Sequence, residues 1–117
     1  MLAVATTSAQ VKINTVRWAS EIKFEITNAS GDVLCKGGPY QDNGTTYEEM
    51  CKIDPKEKDL TLSCIDTYGD GWHGGSLQFH GAVYCENFRR GRTMAIRLHN
   101  PTNDPSAEHH QSNSIAS

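Results

Sequence analysis

Hydrophobic and polar residues alternate along most of the chain between positions 11 and 98. In Glu21 to Thr27, Ile22, Phe24 and Ile26 fall on one face while Glu21, Lys23 and Glu25 fall on the other, the period of two that marks a strand with one face buried. Leu60, Leu62 and Cys64 repeat the pattern against Thr61 and Ser63. Leu77, Phe79 and Val83 lie within the next run, and Met94, Ile96 and Leu98 face away from Arg97 and His99. Weaker strands are expected at 11–16, 32–36 and 45–53, separated by turn-forming runs at 28–32, 37–44 and 54–59. Helix has little room. Residues 46–50 could start one and residues 54–58 could form a single turn, but neither can continue. About seven short strands joined by polar turns predict an all-β fold, an antiparallel β-sandwich.

The ends differ from this middle. Residues 1–16 form an N-terminal segment, residues 17–99 the expected sandwich domain, and residues 100–117 a polar C-terminal tail. Met1 to Ala5 is too short for a signal core, so a secreted chain is expected to have lost its leader or to be numbered from its mature start. The run Val11 to Val16, with its lead-in, has strand propensity. It could be donated to an open sheet edge of a neighbouring copy, a head-to-tail contact that propagates into a homo-oligomeric filament. The competing expectation is that it belongs to its own sandwich.

At 117 residues the chain makes one domain, small enough that cross-links or a metal add usefully to its stability. Four cysteines, Cys35, Cys51, Cys64 and Cys85, contain no Cys-x-x-Cys pair, which argues for two disulfides and an extracellular location rather than a zinc ribbon or redox motif. Of the three pairings, Cys35 with Cys51 and Cys64 with Cys85 is favoured, because each would tie neighbouring strands. Two sequons, at Asn28 and Asn43, lie in turn-like runs suited to N-glycans. The net charge of −3 and pI near 5.9 leave no basic stripe for nucleic acid. Arg89-Arg90-Gly91-Arg92 is the sole basic cluster and is expected to be a solvated turn, with an acidic glycan or a neighbouring subunit as the sharper alternative. No apolar run approaches the ~20 residues of a membrane span.

The richest chemistry lies in Cys64-Ile65-Asp66-Thr67-Tyr68-Gly69-Asp70-Gly71-Trp72-His73-Gly74-Gly75. Asp66 and Asp70, four apart with Gly71 following, partly match the opening of an EF-hand loop. Tyr68 at the third position and Leu77 at the twelfth break the match, so a helix-loop-helix site is excluded. A glycine-rich turn can still aim carboxylates and backbone carbonyls at one hard cation. Calcium is the expected cofactor, with Asp66, Tyr68, Asp70 and Trp72 as the candidate set. The plainer alternative is a hairpin whose aspartates bond their own backbone.

Glu21 and Asp66 could face each other as glycosidase carboxylates do, but calcium is the better use for them. No nucleophile-elbow context surrounds any serine, and no catalytic residue is expected. His99 and the His109-His110 pair offer no three-ligand zinc spacing. Trp72 and His73, beside Tyr68, could contact a sugar ring. Trp72 folding back over the core is preferred, and Trp18 is likewise expected in the core.

The Asp-x-Tyr-Gly-Asp-Gly-Trp string, together with Trp18-Ala19-Ser20-Glu21-Ile22-Lys23-Phe24 upstream, resembles a module of secreted microbial proteins that often occurs in tandem copies. The likeness spans residues 17 to 98. It implies an extracellular, calcium-binding β-sandwich used in adhesion or surface architecture, without catalysis. The expected function is therefore a calcium-stabilised structural subunit that polymerises by strand donation. The alternative is a calcium-dependent, lectin-like carbohydrate-binding module.

Overall fold

A computed structural model describes residues 7–54 and 56–98. The strands are β1 (Thr7–Asn14), β2 (Ile22–Thr27), β3 (Val33–Gly37), β4 (Thr46–Ile53), β5 (Leu60–Asp66), β6 (Ser76–Phe79), β7 (Ala82–Tyr84) and β8 (Thr93–Leu98), with one 3-10 turn at Ala19–Glu21. They form two four-stranded sheets, ordered β4-β1-β6-β7 and β3-β2-β5-β8, and every pairing between these strands is antiparallel. The chain is a disulfide-stabilised β-sandwich.

The alternating pattern explains the packing. Val11 and Ile13 of β1, Ile22, Phe24 and Ile26 of β2, Leu60, Leu62 and Cys64 of β5, and Leu77 and Phe79 of β6 are all buried between the sheets. Trp72 and Phe88 fill one end of the same core, their ring centroids 6.4 Å apart. Each large side chain buried in this way contributes roughly 1.5–3 kcal/mol.

Three details differ from the sequence reading. The run through Leu77 to Val83 is two strands with a turn at His80 and Gly81, so Val83 faces solvent instead of the core. Residues 46–50 belong to the strand expected at 45–53: Met50 is exposed while Cys51 and Ile53 turn inward, a period of two and not of 3.6. Trp18, expected in the core, is exposed: the 3-10 turn after it puts Ala19 inward in its place. The third concerns the bounds of the sandwich, which take in β1, outside the expected 17–99, as the competing expectation for that run has it. β1 lies between β4 and β6 of its own sheet, in register Lys12 opposite Glu48 and Ile13 opposite Leu77.

Both disulfides link one sheet to the other. Cys35–Cys51 ties edge strand β3 to edge strand β4, with Cα atoms 5.5 Å apart. Cys64–Cys85 ties β5 to the segment following β7, at 6.0 Å. The pairing is the favoured one, although the strands it joins are neighbours across the sandwich instead of within a sheet. Residues 1–6 of the N-terminal segment, the tail at 100–117, His99 and the His109-His110 pair lie outside the described residues.

Candidate functional site

At one end of the sandwich the strand β5 runs into the glycine-rich loop. Inward positions on β5 fall at Leu60, Leu62, Cys64 and then Asp66, so the same alternation that builds the core drives a carboxylate into it. Asp66 is fully buried. Its Oδ1 accepts the Tyr68 backbone N–H at 3.2 Å, and its Oδ2 accepts those of Gly69 at 3.1 Å and Asp70 at 2.5 Å. Three backbone donors satisfy a buried charge and wind the loop into a tight turn around it.

The loop is then stitched to its surroundings. Asp66 N–H donates to the Arg92 carbonyl, Thr67 N–H to that of Glu21, Trp72 N–H to that of Phe88, and Gly91 N–H to that of Gly69. Gly71 makes this possible: its φ is +85°, and a Cβ there would stand 2.4 Å from the Phe88 carbonyl oxygen. Trp72 enters the core with its indole N–H donating to the Ile65 carbonyl at 3.0 Å, the lid arrangement. Its own carbonyl accepts Gly75 N–H at 2.8 Å. The exposed Arg89, Arg90 and Arg92 make the solvated turn that borders the loop.

Above Asp66, Glu21 from the 3-10 turn meets Asp70 and His73. One ligand atom from each of these three lies within 4.8 Å of the others, and His73 Nε2 stands 3.2 Å from Asp70 Oδ2. Glu21 Oε1 and Asp70 Oδ1 are buried acceptors without a hydrogen-bond partner. Burial first, and then the charges of Asp66 and Asp70 and contact with the Asp66 carboxyl, hold Glu21 above the usual carboxylate range; His73 works the other way. Asp70 is held below its usual value, chiefly by hydrogen bonding to Asp66 and then by His73, against the effect of burial.

The structure places the expected residues at one end of the sandwich in different surroundings. Asp66 organises the loop with its carboxylate already occupied, and Trp72 is core. Tyr68 is 71% exposed. Asp70 faces a group that the motif alone does not contain. Glu21 is 45 positions from Asp66, and its place was legible only as a guess that the two could face each other. His73, read as a ligand contact, stands beside Asp70 at the carboxylate cluster. A cleft of about 280 Å³ opens there, lined by Trp18, Glu21, Tyr68 and Asp70.

Neither sequon asparagine is idle. Asn28 Oδ1 accepts the N–H groups of Ser30 and Asp32, closing the β2–β3 turn. Asn43 is exposed, and its Oδ1 accepts Ala19 N–H at 3.0 Å. Among the described residues no helix is long and apolar enough to cross a membrane. No protein-family model, curated protein or solved structure matches the chain.

Proposed function

We propose that this chain is a non-catalytic extracellular module, a structural or adhesive subunit of a surface assembly, whose loop end is fixed by calcium. The observation that carries this reading is the convergence of Glu21 and Asp70 over Asp66, with two buried carboxylate oxygens left without partners. Like charges this close oppose one another, and a divalent cation is the simplest group that satisfies both oxygens at once. Asp66 acts beneath the ion by shaping the loop, and water from the open cleft completes the six to eight oxygens that calcium takes. Two disulfides fit an oxidising, extracellular setting.

Asp70→Asn is expected to lower the melting temperature by more in calcium than in its absence, where only the stabilisation from the ionised Asp70 carboxylate is lost. Identical melting of the unmutated protein with and without calcium would sink the cation reading.

Assembly by strand donation takes a specific form in this fold. The donated strand is β1, and a neighbour's β1 would occupy the slot between β4 and β6 that the chain's own β1 fills. Deleting residues 1–16 therefore removes a central strand and tests folding more than assembly. Register gives a better test. Lys12 lies opposite Glu48, so mixing Lys12→Cys chains with Glu48→Cys chains is expected to yield interchain disulfides between these positions, and micrographs to show filaments. Monomers without that cross-link would remove the polymer from the proposal.

The lectin-like reading is favoured by one observation, the exposed aromatic side chains beside the carboxylates.

A further inference from the structure

The loop end carries two large aromatic side chains that the core does not use. Trp18 is 53% exposed and Tyr68 71% exposed. Trp18 also adopts φ 54° and ψ 45°, left-handed backbone that a residue bearing a side chain occupies at an energetic cost. The main chain at Tyr68 is fixed by the bond from its backbone N–H to Asp66. The two rings border the cleft of about 280 Å³ whose remaining walls are Glu21 and Asp70.

Each wall limits what can enter. Aromatic faces reward a ligand with a flat apolar surface and bury it at little entropic cost, since the rings have few rotatable bonds. The carboxylates of Glu21 and Asp70 on the remaining walls reward a ligand that carries hydrogen-bond donors and penalise one that lacks them. A pyranose ring has both properties, axial C–H groups on its faces and hydroxyl donors around its rim. The cleft is below the ~300–1,000 Å³ of pockets that enclose drug-sized ligands, and open, which suits one sugar residue of a longer chain.

We propose that Trp18 and Tyr68 bind a pyranose residue of a glycan, with Glu21 and Asp70 accepting its hydroxyl groups. This rests on the calcium reading in one respect: a cation held by the same carboxylates takes sugar hydroxyls in place of water. The recognising aromatics are thus Trp18 and Tyr68, in place of Trp72, which is buried.

The chain has two tryptophans, and Trp72 is buried with its indole N–H bonded, so ligand-induced change in fluorescence reports Trp18. The protein, in calcium, is applied to an array of pyranose glycans, and the best binder is titrated by fluorescence. Trp18→Ala and Tyr68→Ala, both at exposed positions, are expected to weaken binding roughly tenfold or more, the worth of one well-placed aromatic contact, with unchanged melting. Absence of binding by the folded protein overturns the proposal, as does binding that survives in both variants, or a response to choline or trimethyl-lysine alone. The calcium-dependent melting shift, measured on the same samples, separates the two readings. A retained shift without glycan binding fails the sugar site alone, whereas glycan binding that persists in chelator without any shift fails the calcium reading alone.

Discussion

Asp66 and Glu21 show how the same functional group does opposite work a few ångströms apart. The Asp66 carboxylate is saturated by three backbone donors, so Asp66→Ala leaves those donors buried and unpaired and is expected to cost roughly 3 kcal/mol in a urea titration. Glu21 lacks such support, and its raised pKa fixes the sign of its pH effect. A carboxylate whose folded value lies above its unfolded one binds its proton more tightly in the native state, so its ionisation destabilises the fold. Calcium-free protein is therefore expected to gain stability as pH falls from neutral through Glu21's raised value. It then loses stability below the usual aspartate range as Asp70, whose value is lowered, takes its proton. Glu21→Gln is expected to raise the calcium-free melting temperature at neutral pH and abolish the calcium shift. A flat pH profile in the unmutated protein and no stabilisation in the variant would contradict this account.

The glycine-rich loop and the segment from Cys85 to Arg92 behave as one element, joined by backbone bonds from Trp72 to Phe88, Asp66 to Arg92 and Gly91 to Gly69. Gly71 is the point of closest approach. Gly71→Ala combines an unfavourable positive φ with a backbone collision, so it is expected to destabilise by roughly 3 kcal/mol and to expose Trp72, read as a red-shifted emission. By contrast Arg97 and Asp59, 3.4 Å apart between exposed side chains on β8 and before β5, form a pair worth ~0–1 kcal/mol. Arg97→Ala should leave melting almost unchanged. β1 matters at this scale as well, since its central place means that any exchange between copies must first open bonds to both β4 and β6.

Across the molecule, the two disulfides hold the sheets together from different sides. Cys35–Cys51 closes the β3/β4 edge, and Cys64–Cys85 anchors β5 to the chain that braces the site loop. Loops of 16 and 21 residues stabilise by roughly 3 kcal/mol each in the chain-entropy account. Replacing Cys35 and Cys51 together by alanine is expected to lower stability by about that amount while leaving the calcium shift intact. Replacing Cys64 and Cys85 should lower both, because the brace behind the loop is lost. Equal calcium shifts in the two double variants would show that the loop does not depend on its disulfide.

The sequence by itself determined the strands. A period of two is a local property, so Ile22, Phe24 and Ile26 or Leu60, Leu62 and Cys64 announce their buried face without reference to anything distant. The turn around Asp66 is also local, since its backbone partners lie within four residues, and it was legible as the plainer alternative to a calcium ligand. Tertiary structure decided the rest. Which strands pair, that β1 sits inside its own sheet, and that Trp72 is buried while Trp18 is exposed all depend on how two faces meet. Glu21 reaches Asp70 and His73 only because β2 and β5 pair with Ile22 opposite Asp66, a register set by burial over the whole sheet and invisible in either segment alone.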